Sequence, residues 1–146
     1  MKEKTQMTPA QQQVTRLLQH YGQTHHTSLN LQDGVCVMNG PDGQEAAVLE
    51  VPGNSDALLL HCQLVSFKHY DNVGIYHLML LLNFEMAAMK GCWLALDEND
   101  TLRLCTQQTL DALTEPSFNA LLSAFISQAV ETRLFINNLL SQVEAA

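Results

Sequence analysis

The chain has 146 residues and a mass of 16.2 kDa, enough to bury one core without disulfide or metal staples, so residues 1–146 read as one domain. Its 15 acidic side chains against 7 Lys and Arg give a formal net charge of −8. That charge repels nucleic-acid phosphates and anionic membrane surfaces, and no basic cluster offsets it, so nucleic acid is excluded as a partner.

The opening MKEKTQMTPAQQQ lacks the apolar stretch and small-residue cleavage site of a secretory signal, and the expected location is the cytoplasm. Thr8-Pro9-Ala10-Gln11 predicts a helix start: Thr8 can cap, Pro9 fits the first turn, and Gln11 completes a capping box. Val14, Leu17, Leu18 and Tyr21 then form one apolar stripe, with glutamines and Arg16 opposite and Gly22 as the stop. Strand patterning follows. GVCVMN and AAVLEV flank the turn Gly40-Pro41-Asp42-Gly43 and predict a hairpin. In ALLLHCQLVSF, Leu58, Leu60, Cys62 and Leu64 share one face, while Leu59, His61, Gln63 and Val65 share a more polar one.

From about Asn72 to Lys90 the chain reads as one helix that is apolar almost all round, with Leu78 to Leu82, Phe84 and Met86 to Met89 interrupted only by Asn83 and Glu85. Such a helix must be covered on more than one side. Its unbroken apolar run is too short for a bilayer span, which needs about 20 residues, so membrane insertion is not expected. One face can lie on the strands; a second copy of the chain, packed across a two-fold axis, covers the other most economically. The expected contacts of this homodimer are Leu78, Met79, Leu82, Met86 and Met89, with Trp93 close by. The alternative is a central helix buried wholly within one monomer.

Gly91 suits a helix stop. After it, Leu94 and Leu96 face the same way as Leu102 and Leu104 across the turn Asp97-Glu98-Asn99-Asp100, and Trp93 takes the other face. Thr114-Glu115-Pro116 begins a last helix, with Phe118, Leu121, Leu122, Phe125, Ile126 and Ala129 at helical spacing, reaching about Val143. The fold class is α+β, in the order helix, three strands, helix, two strands, helix.

Chemistry is sparse. The six histidines show no metal-ligand spacing, and the four cysteines, Cys36, Cys62, Cys92 and Cys105, are spread through apolar runs as free, buried thiols rather than nucleophiles. Asp97, Glu98 and Asp100 belong to a turn, and NGPDGQE lacks the Lys-Ser/Thr of a phosphate loop. No catalytic residue, metal or cofactor is expected.

LLLNFEMAAMKGCWLALDENDTLRLC and LTEPSFNALLSAFISQAVETRLFINNLL, together with the order of elements, resemble the class I type III secretion chaperones, the Tir-chaperone or CesT/SycE-like family. The resemblance spans nearly the whole chain. Its most specific part is a leucine-rich helix ending near Asn83, a small-residue break, the LALD strand, an acidic turn, an L-x-L strand and a long C-terminal helix. Many members carry a Trp in the last helix, where this chain has Arg133-Leu134-Phe135.

The resemblance implies a twisted antiparallel sheet flanked by helices. It also implies a non-enzymatic homodimer in the bacterial cytoplasm that binds the N-terminal region of effector proteins and hands them, unfolded in that region, to the secretion ATPase. Apolar patches and an open sheet edge are the means available for such binding. The candidate contacts are Val14, Leu17, Leu18 and Tyr21 if the first helix rims a groove, and Leu29, Leu31, Val35 and Val37 if the first strand is an edge. A small dimeric α+β enzyme or ligand-binding domain is the competing reading, and it would require a closed polar pocket with convergent titratable groups.

Overall fold

The computed structural model describes residues 6–70 and 73–145; Asn72, the expected start of the second helix, lies outside the described residues. The first helix, α1 (Pro9–Thr24), begins with the expected capping box: Thr8 Oγ1 accepts from the Gln11 backbone at 3.2 Å and Gln11 Oε1 accepts from the Thr8 backbone at 3.0 Å. The helix runs two residues past Gly22. There the glycine permits a close approach rather than a stop, because a Cβ would lie 2.5 Å from the Thr27 carbonyl oxygen of the returning chain.

Five strands follow the expected pattern: β1 (Val35–Asn39), β2 (Glu45–Glu50), β3 (Ala57–Ser66), β4 (Trp93–Leu96) and β5 (Thr101–Thr109). They pair antiparallel throughout in the order β1-β2-β3-β5-β4, which puts β1 and β4 at the two edges. Register aligns Cys36 with Leu49, Leu49 with Leu60, Cys62 with Leu104, and Leu104 with Leu94, all buried on one face. The intervening residues Val35, Val37, Glu50, His61, Cys105 and Trp93 share the other face through the same register.

The last helix, α4 (Glu115–Ala145), covers the buried face. Thr114 and Ser117 cap it reciprocally: the Thr114 backbone N–H donates to Ser117 Oγ, and the Ser117 N–H donates to Thr114 Oγ1. Phe118, Leu122, Phe125, Ala129, Ile136 and Leu140 form its buried stripe and pack on β2 and β3. The α1 stripe joins the same core beside α4, and Gln11 and Gln13 side chains donate to the Val51 and Leu110 carbonyls beyond the ends of β2 and β5.

The middle segment departs from the expected single helix. It forms α2 (Val73–Asn83) and a separate turn, α3 (Met86–Met89). The Asn83 side chain makes the break: its Nδ2 donates to the Leu94 carbonyl at 3.1 Å, and its Oδ1 accepts from the Leu94 N–H at 2.6 Å. The Phe84 and Glu85 N–H groups close tight turns onto the Leu81 and Leu82 carbonyls, and the left-handed pair Lys90 (φ 51) and Gly91 (φ 84) ends α3.

Asn83→Ala leaves the backbone N–H and C=O of buried Leu94 without these partners. It is expected to destabilise the chain by about 1–3 kcal/mol, read as a lower urea midpoint at unchanged slope. An unchanged midpoint would show that the break is held by other contacts.

Candidate functional site

Two surfaces stand out. The first is the β1 edge, where Gln32 pairs with Val35 on the side away from β2, through Gln32 N–H to Val35 O at 2.8 Å and Val35 N–H to Gln32 O at 3.0 Å. In an antiparallel strand alternate residues turn their backbone groups the same way. The Val37 N–H and C=O therefore point to the open side, past the end of the Gln32 bridge. Beside them a groove of about 450 Å³ is lined by Ser28, Leu29, Asn30, Gln32, Val35 and Val37. Val37 is 55% exposed, an apolar side chain at a free strand edge.

The second surface is an apolar helix face. α2 buries Ile75, Met79 and Leu82, but Val73, Leu80 and Leu81 are exposed, as is Phe84 just past its end, by 82%. Met86 on α3 and Trp93 and Leu96 on the β4 edge are exposed as well. Large apolar side chains gathered on consecutive elements at one edge mark a protein-contact surface.

The structure sorts the residues singled out from the sequence. Val14, Leu17, Leu18, Tyr21 and Leu31 are buried in the chain's own core, because the α1 stripe faces α4 and the sheet rather than a groove. Leu29 and Val35 are half-buried and Val37 is exposed, so the open edge rests on these three. Among the expected dimer contacts, Met79, Leu82 and Met89 point into the core, Leu78 is half-buried, and Met86 and Trp93 face outward. Sequence reasoning passed over the outward stripe Val73, Leu80 and Phe84. Their spacing of seven and then four residues was the available signal, but in a helix apolar all round it does not say which stripe faces in.

The exposed sheet face carries a charge network rather than a catalytic group. Arg103 donates from Nε to Asp97 Oδ2 and from Nη1 to Glu45 Oε1, each at 2.8 Å, and Nη1 also lies 3.1 Å from His61 Nδ1. His61 Nε2 is 3.3 Å from Glu50 Oε1. The Arg103 hydrogen bond holds the Asp97 carboxyl below its ordinary range. Burial works against the charge on Arg103, but its bonds to Asp97 and Glu45 outweigh that and keep it firmly protonated.

The thiols are the reverse of activated. Burial raises Cys36, Cys62 and Cys92 and pushes Cys105 up to about 11, so none is a thiolate near neutral pH. All four cysteines are free. Among the described residues no group of three or more His, Cys, Asp or Glu is placed to hold a metal, and no helix is long and apolar enough to cross a membrane.

The chain is thus an antiparallel sheet with helices on one face, an open edge at β1 and an apolar helix face left uncovered. A chain in the crystal structure of the ExsC–ExsE complex shares the fold with a TM-score of 0.71 at 20% identity, over 88% of this chain and 94% of that one. One in the HopA1–SchA chaperone–effector complex does so at 0.69 and 16%, over 88% and 98%. Another, in the ExoU–SpcU complex from the type III secretion system of Pseudomonas aeruginosa, reaches 0.59 at 16%, over 84% and 96%. No curated protein matches the chain in sequence. The family model of the Tir chaperone protein (CesT) family matches residues 16–133, and the chain belongs to that family of type III secretion chaperones, which are not enzymes.

The thiols carry a prediction. Because each is raised in the folded state, the stability they contribute is complete below the unfolded value near 9.0 and is lost as pH rises, for Cys105 through about 11. Urea midpoints should therefore fall between pH 9 and 11. Cys36 and Cys62 are buried as expected, whereas Cys92 and Cys105 are only half-buried, so a thiol reagent at neutral pH should reach Cys36 and Cys62 only after denaturation; rapid native labelling of either would contradict their burial.

Proposed function

We propose that the chain is a bacterial cytoplasmic chaperone which, as a homodimer, binds the N-terminal region of one or more type III secretion effectors. It holds that region extended and secretion-competent without ATP and delivers it to the secretion apparatus, where the secretion ATPase receives it. The whole chain acts as one domain in this reading. The observation that carries the proposal is the open β1 edge, with Val37 aiming free backbone groups outward, on a chain of the Tir chaperone family. An extended segment can add there as a further strand, with the Leu29, Val35 and Val37 side chains setting side-chain preference. Holding of this kind uses binding energy alone, which is why no nucleotide enters. The complexes of relatives support the partner class: one is a chaperone with its effector, HopA1–SchA, and the ExoU–SpcU complex comes from a type III secretion system.

The homodimer rests on the second surface. Val73, Leu80, Leu81, Phe84 and Met86 stand exposed beside Trp93, and burying such a face against a second copy removes it from water. Leu78 adds a half-buried contact, while Met79, Leu82 and Met89 support the helix from beneath.

Light scattering should give twice the 16.2 kDa chain mass, and Leu81→Asp combined with Phe84→Asp should return the protein to the monomer with its circular dichroism intact. A wild-type monomer at micromolar concentration would remove the dimer from the proposal.

Co-expression with candidate effectors encoded nearby, followed by pull-down without nucleotide, tests capture. Val37→Pro removes the outward N–H from an edge strand that tolerates proline. It should weaken capture about tenfold, the cost of roughly one to two net hydrogen bonds, and leave the dimer unchanged. If no protein is captured and the purified chain instead binds a metabolite tightly, the ligand-binding alternative replaces this reading.

A further inference from the structure

A third surface lies beside the β1–β2 turn, where the sheet splays apart. β2 and β3 are in register only from Val48–His61 to Glu50–Leu59; toward Glu45 and Gln63 they separate, and the β3 register against β5 slips between Gln63 and Val65. Arg133, reaching down from α4, fills the gap. Its Nη2 donates to the Gln63 carbonyl and lies 3.3 Å from both the Glu45 carbonyl and Cys62 Sγ.

One nitrogen of the guanidinium therefore does the structural work, and among the described residues Arg133 makes no ion pair. Arg103 differs, since Glu45 and Asp97 neutralise it. The Glu45 carboxylate beside Arg133 is also committed, to Arg103 Nη1 and to the Gln63 N–H at 2.9 Å.

Two adjoining grooves of about 340 Å³ each meet at Arg133. One is apolar, with Pro41, Ala46, Ile126, Ala129 and Val130 in its walls. The other is polar, with Gln44, Gln63 and Asn137. Val130, one turn from Arg133 on α4, is 49% exposed at this surface. An apolar trough that ends at a guanidinium with its Nε and Nη1 uncommitted is complementary to an apolar side chain followed closely by a carboxylate, which accepts a charge-assisted hydrogen bond from either nitrogen. A phosphate group fits less well: a single cation in a chain of net charge −8, with Asp42 at the rim, supplies too little positive potential for a dianion.

We propose that Arg133 and these grooves form a second contact site for the effector segment, receiving an acidic residue on Arg133 and a neighbouring apolar side chain in the trough between α4 and the β1–β2 turn. The site rests on the chaperone reading above and adds a charge-specific element to what the apolar surfaces bind without charge preference. It selects register: an extended segment with several apolar residues can slide along an apolar groove, whereas one carboxylate on one guanidinium sets its position.

The test is a double-mutant cycle on the captured effector segment, by isothermal titration with the purified chaperone. Arg133→Gln should weaken binding about tenfold, as should replacing one particular Asp or Glu of the segment by its amide, and the two changes together should cost no more than either alone. Val130→Asp, at an exposed position, places a competing carboxylate three residues from Arg133. It should block the site to the same extent without disturbing the fold, and so covers the case in which Arg133→Gln does not fold. A captured segment without acidic residues, or full additivity at every acidic position, would overturn the site while leaving the chaperone reading in place. A change of dimer mass on Val130→Asp would assign the grooves to a second copy instead, and failure of wild-type capture counts against the proposed function itself.

Discussion

The packing of the α4 stripe on the β2–β3 face is the contact on which the remaining structure depends. Phe118, Leu122, Phe125, Ala129, Ile136 and Leu140 cover one face of a five-stranded sheet, and α1 fills the flank beside them. An antiparallel sheet is content with one dry face, since alternation leaves the other to polar and small side chains. The helices are therefore all spent on one side or at the ends; α2 reaches the β4 edge, where Asn83 holds the Leu94 backbone, and the β1 edge lies outside their cover. An open edge is ordinarily a hazard that a chain blunts; here the Gln32 bridge closes only the first residue of β1 and leaves Val37 free.

Asn83 sets the second surface by the same economy. Had α2 continued unbroken to Lys90, its apolar residues would circle the axis with no preferred outward stripe. By binding the Leu94 backbone through both ends of its amide, Asn83 stops the helix, turns α3 back so that Met89 enters the core, and leaves Leu80, Leu81, Phe84 and Met86 outside. The break thus converts a uniformly apolar segment into one with a buried and an exposed side.

The two internal arginines show how one residue type serves opposite ends. Arg103, between Asp97 and Glu45, ties the β4–β5 turn to β2 and has no charge left over. Arg133 closes the splay between β2 and β3 through two carbonyl groups and the Cys62 sulfur, and meets no carboxylate among the described residues. Because the net charge of −8 is spread over the chain, a cation whose neighbouring carboxylate, Glu45, is already bound to Arg103 is a local exception to the field around it.

The α+β class, the order of elements, the capping box at Thr8, the alternation on β3 and the helical stripe of α4 were all legible in the residues, because each depends on spacing within a few positions of the chain. The family resemblance was legible for the same reason, as a run of such patterns in order. Which apolar stripe faces inward was not: Val14, Leu17, Leu18 and Tyr21 read equally well as core or groove, and the structure puts them in the core because α4 lies on their side. Strand order, which places β1 at an edge, and the meeting of Arg133 with Cys62, Gln63 and Glu45 likewise join residues up to 88 positions apart. Local pattern carries hydrophobic period and turn chemistry, both short-range properties of the chain. The exposure of a given side chain depends on what arrives from a distant segment, and only the packed tertiary structure decides that.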